Sequence, residues 1–135
     1  MPDEIRWEIA VDRDVVQARQ SAREQAAEAG FSAGDQTVIA AAVSEIARNI
    51  LMYARRGTVT LRVEMNDERR GIIVVARDEG PGIADIPRAL QDGFSTSGGL
   101  GVGLPGSRRL MDEFEVQSQP GRGTTVTMKK WKRNG

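Results

Sequence analysis

The chain begins with a stretch in which hydrophobic and polar residues alternate. Hydrophobic residues stand at every second position there: Ile5, Trp7, Ile9 and Val11. A period of two is typical of a strand with one buried face. The pattern therefore predicts a first strand over residues 5–11.

The next two segments have helical spacing instead. A stripe of mostly small residues predicts a helix from about Asp14 to Ala29, and Gly30 supplies the left-handed residue that ends it. A second helix is predicted from Asp35, as its N-cap, to about Tyr53. Its core stripe is formed by Ile39, Val43, Ile46 and Ile50. The small residues of the first helix indicate that it packs closely against its neighbours.

Beyond Gly57 the period of two returns. Residues 58–65 alternate and predict a strand with one solvated face, and the apolar run 72–76 is typical of a central strand. A glycine-rich stretch over 79–103 has no sustained periodicity and is too long for an ordinary loop. That length favours a functional or mobile segment.

The C-terminal part completes the predicted architecture. Leu104 to about Glu113 has the pattern of a third helix, and strands over 114–119 and 124–131 flank a turn, which predicts a hairpin. We expect an α+β fold: a two-layer α/β sandwich with helices on one face of a mostly antiparallel sheet. The length suits a single domain covering residues 1–135.

Composition excludes several kinds of chemistry. The chain has no Cys and no His, so disulfides, thiolate nucleophiles, Ser-His-Asp catalysis and phosphohistidine transfer by this chain are excluded. Nineteen basic residues balance nineteen acidic ones, which argues against a nucleic acid or a membrane as partner. The sequence shows neither a signal peptide nor an apolar run long enough to span a bilayer. A cytoplasmic protein is expected.

Two polar residues of the second predicted helix could form the wall of a pocket. Glu45 and Asn49 are four residues apart and project from one face. They lie roughly 100° from the centre of the apolar stripe, beside Ala42, at the border of core and solvent. An exposed polar pair beside an apolar stripe is the simpler interpretation of the helix taken alone.

Two turn sequences could shape the end of a site that recognises an exocyclic amine. Asp78 ends the apolar strand and is followed by Gly80 and Gly82, which allow another molecule to approach the backbone. Thr124, after two glycines at a strand start, could add a hydroxyl there. Ordinary turns explain both sequences equally well or better.

Alternating glycines provide a candidate phosphate cradle. Gly99, Gly101 and Gly103 precede a predicted helix, so backbone N–H groups and the helix N-terminus could bind an anion. A flexible linker is the alternative. No lysine occurs before Lys129, which excludes a Walker A loop. A metal ion, backbone donors and arginine would then neutralise phosphate charge, with Asn49 as an oxygen ligand for Mg²⁺.

Four motifs in this order resemble the N, G1, G2 and G3 boxes of the GHKL ATPase/kinase superfamily. They are E-x-x-x-N at 45–49, D-x-G-x-G at 78–82, G-x-G-x-G at 99–103 and G-x-G-T at 121–124. The resemblance covers about residues 40–131 and implies the Bergerat fold, a two-layer α/β sandwich. This agrees with the architecture predicted from periodicity.

The resemblance implies a role for each matching residue. Asp78 would accept from the adenine amino group of ATP, Gly80 and Gly82 would shape that end, and Thr124 would belong to the ATP site. Asn49 would bind Mg²⁺. Glu45 would be the general base, and the remaining glycines, which would enclose the phosphates as a mobile lid, are Gly99, Gly101 and Gly103.

Within this superfamily, residues 44–50 and 92–114 look like those of the RsbT-like switch-protein serine/threonine kinases. That resemblance implies phosphorylation of STAS-domain proteins of the RsbS/RsbR type in stressosome signalling. It also implies that the released kinase activates a protein phosphatase of the RsbU type by binding it. The alternative is an RsbW-type anti-sigma factor that sequesters a sigma subunit, because the four boxes alone do not separate the two.

Overall fold

A computed structural model describes residues 4–66, 69–80, 110–119, 121 and 123–132. This part of the chain forms two helices and five strands. In chain order they are β1 (Glu4–Ile9), α1 (Asp12–Glu28), α2 (Ala33–Tyr53), β2 (Gly57–Asn66), β3 (Arg69–Asp78), β4 (Glu113–Gln119) and β5 (Gly123–Trp131).

The five strands form one sheet in the order β1-β2-β3-β5-β4, and every neighbouring pair is antiparallel. The last strand of the chain therefore lies between β3 and β4. Because β3 is paired on both sides, its last residue, Asp78, lies opposite Gly57 of β2 and Thr124 of β5. The predicted α+β architecture is confirmed.

The core lies between the sheet and the two helices. Helix α1 contributes small side chains, since Ala18, Ala22 and Ala26 are each 0% exposed. The larger buried side chains come from α2 and the sheet, and they include Ile39, Val43, Leu61, Ile72, Val74 and Met128. Within the described ranges, no helix is long and apolar enough to cross a membrane.

The N-terminus of α1 explains why β1 is shorter than predicted. The backbone N–H groups of Ala10 and Val11 donate to Asp14 Oδ2 at 2.9 and 3.0 Å. These two bonds lower the pKa of the Asp14 carboxyl, and the bond from Ala10 has the larger effect. The backbone N–H groups of Ala10 and Val11 therefore bond to the helix cap and not to a neighbouring strand, and β1 ends at Ile9.

The start of α2 also differs from the prediction. Ser32 is the N-cap, because its hydroxyl accepts from the backbone N–H of Asp35 at 3.1 Å. Asp35 lies inside the first turn, so its assignment as the cap is wrong. Gly30, before the cap, has φ +89°, which confirms the predicted left-handed residue after α1.

The predicted third helix falls mostly on residues 104–109, which lie outside the described residues. Its predicted end is wrong, since Glu113 begins β4. The carboxylate of Glu113 accepts from the Trp131 indole at 2.6 Å, and Asp112 accepts from the Trp131 backbone at 2.8 Å. Pairing with the end of β5 thus overrides the local helical pattern. The predicted hairpin of β4 and β5 is confirmed.

Candidate functional site

Asp78 stands at the end of β3, on the face of the sheet that carries the helices. Its carboxylate accepts the backbone N–H of Gly80 at 2.9 Å and also that of Thr124. Burial raises the pKa of Asp78, and the two backbone bonds offset this only in part. The chain thus holds a half-buried carboxylate in a fixed orientation at the strand end.

Glycines allow the backbone to close around Asp78. A side chain at Gly80 would bring its Cβ within 2.6 Å of Ala54 Cβ, just after α2. At Gly123, where φ is +86°, a Cβ would collide with the carbonyl oxygen of Asp78. A Cβ at Gly57 would lie 2.9 Å from Ile50 Cγ2 of α2. These close approaches bring the end of α2 and three strand ends together around one carboxylate.

Thr124 contributes to this end of the site in a way that the sequence did not show. Its backbone N–H donates to Asp78, and its hydroxyl lies 2.8 Å from Ser118 Oγ on β4. Ser118 Oγ also donates to the carbonyl of Gly123 at 3.0 Å. Because the Ser118 hydroxyl hydrogen is used in the bond to Gly123, the Thr124 hydroxyl donates to Ser118 Oγ. Toward a ligand, the Thr124 hydroxyl oxygen can then act only as an acceptor. Ser118 was missed because no motif includes it.

Asn49 lies on α2 near the border of the core, as its spacing predicted. Its Nδ2 is a buried side-chain atom without a hydrogen-bond partner in the part of the chain that the structure describes. Buried polar groups are nearly always paired, and leaving one unpaired costs about 1–3 kcal/mol. A half-turn of the amide exchanges its nitrogen for its oxygen. A bound molecule could therefore supply the hydrogen bond or metal contact that the described residues do not give this amide.

Glu45 lies one turn before Asn49. Its Oε1 is 3.2 Å from Arg48 Nη1, and its side chain is 26% exposed. At 1.5 Å per residue, Glu45 is about 6 Å from Asn49 along the helix axis, and Ala54 is about 7.5 Å beyond Asn49. The residues predicted for proton transfer and metal binding thus follow one another along α2, in the direction of its end near Asp78.

The donor set at Asn49 suits Mg²⁺ held mainly by a nucleotide. Among the described residues, no group of three or more Asp or Glu side chains could hold a metal ion. Mg²⁺ in phosphate-transfer sites keeps several waters and takes only one or two protein ligands beside phosphate oxygens. A single amide oxygen fits that role.

The predicted phosphate cradle lies outside the described residues. This applies to Gly82 and to all three lid glycines, which are Gly99, Gly101 and Gly103. Their roles stay predictions. Of the other predicted positions, the structure brings Asp78, Gly80 and Thr124 into direct contact. Asn49 and Glu45 lie on α2, whose end approaches this cluster through Ala54.

Comparisons with known proteins identify the family of this chain. Residues 10–130 match the family model of the histidine kinase-like ATPase domain. The serine/threonine-protein kinase RsbT of Bacillus subtilis (strain 168) is 47% identical over 133 residues, covering 98% of this chain and all of the relative.

Other relatives match a shorter segment. An anti-sigma F factor of Caldanaerobacter subterraneus subsp. tengcongensis is 38% identical over 99 residues, with 69% of this chain and 68% of the relative covered. One of Thermoanaerobacter sp. (strain X514) is 36% identical with the same coverage. The family match spans nearly the whole chain, and RsbT matches from end to end. The chain therefore belongs to the family of histidine kinase-like ATPase domains and, within it, to the RsbT-like proteins.

Proposed function

We propose that this chain is an ATP-dependent protein serine/threonine kinase that phosphorylates a STAS-domain protein of the RsbS/RsbR type. The observation that carries the proposal is the placement of three groups. Glu45 and Asn49, whose Nδ2 has no partner among the described residues, lie one turn apart on α2, and the Asp78 carboxylate lies at the strand end that meets the end of α2. Each group matches one need of phosphoryl transfer: a proton acceptor, a metal ligand and a base-recognition contact. Full-length similarity to RsbT supports the kinase assignment.

In this proposal, the chain's own residues bind and orient the reactants. Asp78 accepts the exocyclic N–H of adenine, and Thr124 and Gly80 hold its carboxylate in place. Asn49 turns its oxygen toward the metal that accompanies the phosphates. Mg²⁺, when bound, neutralises charge on the transferring phosphoryl group. We infer no further metal ligand from the described residues.

Glu45 acts on the acceptor hydroxyl. Its carboxylate accepts the hydroxyl proton as the serine or threonine oxygen forms a bond to the γ-phosphorus, while the bond from that phosphorus to the β–γ bridging oxygen breaks and ADP leaves. The products are ADP, a phosphorylated side chain and one proton on Glu45. A carboxylate takes this role in a chain that has no histidine.

We further propose that the chain, after release from its phosphorylated substrate, activates an RsbU-like phosphatase by binding it. An RsbW-type anti-sigma factor is the second candidate, since several relatives, including the two described above, are named anti-sigma F factors. Those relatives match about two thirds of the chain, whereas RsbT matches nearly all of it. The difference in coverage favours the kinase.

The test is transfer of labelled phosphate from Mg-ATP to purified STAS-domain proteins from the same genome. We expect label on serine or threonine with the wild-type chain, and strongly reduced label with Asp78→Asn at the same ATP concentration. Tight binding of a sigma subunit without label transfer would favour the second candidate. Absence of ATP binding at millimolar concentration would refute both.

A further inference from the structure

A groove separate from the Asp78 end runs between α1 and α2. Its volume is about 570 Å³, and its charged lining residues are Arg19 and Arg23 from α1 and Glu45 and Arg48 from α2. Three guanidinium groups therefore face one carboxylate, although the chain as a whole has no net charge. The groove is a local basic surface in a neutral protein.

Only part of this positive charge is used within the protein. Arg23 Nη2 donates to Thr37 Oγ1 across the groove at 2.9 Å, which holds one guanidinium in place. Arg48 contacts Glu45. Within the described ranges, no carboxylate forms an ion pair with Arg19. Guanidinium groups bind carboxylates in a planar, two-pronged geometry, so this lining suits an acidic ligand.

The groove also has an apolar component. Val16, on the α1 side of the groove, is 58% exposed, and Ala40 and Ala41 line it from α2. An inorganic anion would make no use of these side chains. A polypeptide segment with acidic residues would contact both the guanidinium groups and the apolar side chains.

Glu45 connects the groove to the proposed nucleotide site. Successive residues of α2 differ by about 100° around the helix axis. Glu45 therefore lies between the groove residues Ser44 and Arg48 on one side and Asn49 on the other. A segment lying in the groove can therefore bring a hydroxyl to the Glu45 carboxylate from the side opposite Asn49. Arg48 stands at this junction and contacts Glu45 in the free chain.

We propose that the groove between α1 and α2 binds an acidic segment of the protein substrate, and that Arg48 couples this binding to Glu45. When the segment enters, the Arg48 guanidinium contacts a substrate carboxylate while it keeps its contact with Glu45, and this bridge holds the Glu45 carboxylate where it accepts the proton of the nearby hydroxyl. The Arg48 side chain is 53% exposed, so it can turn toward a bound segment at a small energetic cost. Arg48 is a positioning residue in this scheme. The inference rests on the proposed kinase function.

A charge reversal in the groove tests the substrate contact. With a STAS-domain protein that the wild-type chain phosphorylates, we expect Arg19→Glu to raise KM for that protein about tenfold or more and to leave the Kd for ATP unchanged. Arg13→Glu is the matched control, since it makes the same charge change on an exposed residue of α1 that does not line the groove. Equal effects of the two variants on KM would overturn the inference.

Arg48 is tested by separating kcat from KM. Arg48→Met should raise KM and also lower kcat, because Glu45 is no longer positioned, whereas Arg19→Glu should change KM alone. Arg48→Lys keeps the charge and should recover part of the loss. An Arg48→Met variant with wild-type kcat and KM would refute the coupling.

Direct binding provides a readout that needs no catalysis. A fluorescent short peptide with a central serine flanked by glutamates should bind the wild-type chain, with affinity falling as salt rises and lost in Arg19→Glu. A peptide with lysines in place of glutamates should not bind. Displacement by inorganic phosphate at equal concentration would show an ion site instead, and absence of peptide binding would equally contradict the inference. If the peptide binds as expected but no protein is phosphorylated, the kinase proposal fails and the groove assignment stands.

Discussion

Asp78 and Asn49 form two ends of the proposed nucleotide site, and they differ in how far the protein itself completes them. The Asp78 carboxylate accepts two backbone N–H groups and is surrounded by closely approaching backbone. The Asn49 Nδ2 atom is buried and has no hydrogen-bond partner among the residues that the structure describes. The end that we propose for base recognition is therefore formed by the protein alone, whereas at the end that we propose for metal and phosphate the described residues leave the amide nitrogen for a ligand to satisfy.

The difference indicates that the Asp78 end contributes mainly to ligand affinity and the Asn49 end mainly to the bound, reacting state. A preorganised carboxylate recognises one chemical group without rearrangement, which favours affinity. An unsatisfied amide is costly until a ligand binds, so its free energy is recovered only in the loaded state. Substitutions at the two ends should consequently have different effects on stability and on activity.

The largest expected effect is that of Asn49→Ala. We expect kcat for phosphoryl transfer to fall by about 1,000-fold, the scale of losing one preorganised electrostatic contact to the reacting group. The free energy of unfolding should change by no more than about 1 kcal/mol, because the lost amide nitrogen has no partner in the described protein. Enzyme kinetics and thermal denaturation measure the two. A large loss of stability would contradict the view that the amide awaits a ligand.

Gly123→Ala should disrupt the closely packed backbone around Asp78. We expect a loss of about 3 kcal/mol in the free energy of unfolding, from left-handed strain together with the collision against the Asp78 carbonyl. Gly121→Ala is the matched control, since its φ of +78° is similar but no atom lies within 4 Å of the added Cβ. It should cost about 1 kcal/mol. Similar losses in chemical denaturation would show that close packing around Asp78 matters little.

Glu45→Ala should reduce transfer less than Asn49→Ala. The transition state of phosphoryl transfer is stabilised mainly by positioning and charge, so removing the base should lower kcat by about 100-fold, the low end for general-base catalysis. Single-turnover measurements at saturating ATP compare the two variants. Equal or reversed losses would count against these assignments.

Asp78→Asn should affect binding and stability in opposite directions. Loss of the charged acceptor should weaken ATP binding by at least about tenfold, as expected for a hydrogen bond to a charged group worth about 1.5–3 kcal/mol. The asparagine oxygen can still accept from Gly80, and the desolvation of a charge is removed, so the free chain should become more stable. Calorimetry and thermal denaturation test both signs. A destabilised variant would show that burying the Asp78 charge costs less free energy than its hydrogen bonds to the backbone contribute.

The smallest expected effect is a pH dependence from the same residue. The pKa of Asp78 is raised in the folded chain, so protonation begins at a higher pH than for an ordinary aspartate. As the pH falls through this range, ATP affinity should decrease, while the contribution of Asp78 to stability should improve because the folded state binds the proton more tightly than the unfolded state. Asp78→Asn is the control for protonation of adenine. The same pH profile in both proteins would exclude Asp78 as the source.

The sequence predicted the parts of the fold that depend on local periodicity. Alternation located the strands, and the apolar stripes located α1 and α2. Errors occurred where one or two hydrogen bonds decided the boundary of an element. Ser32, not Asp35, caps α2 through one bond, and the two bonds to Asp14 end β1 early. The predicted helix end at Glu113 failed because a contact with Trp131, distant in sequence, determined its conformation.

By itself, the sequence determined the family, through four ordered motifs and their spacing, and it excluded histidine chemistry through composition. Only the tertiary structure decided that Thr124 supports Asp78 through its backbone, that the described residues offer no partner to Asn49 Nδ2, and that Arg19 and Arg48 share a groove with Glu45. The physical reason is that motif spacing and periodicity are properties of neighbouring residues. Burial, charge pairing and hydrogen-bond satisfaction depend on which distant segments meet when the chain folds.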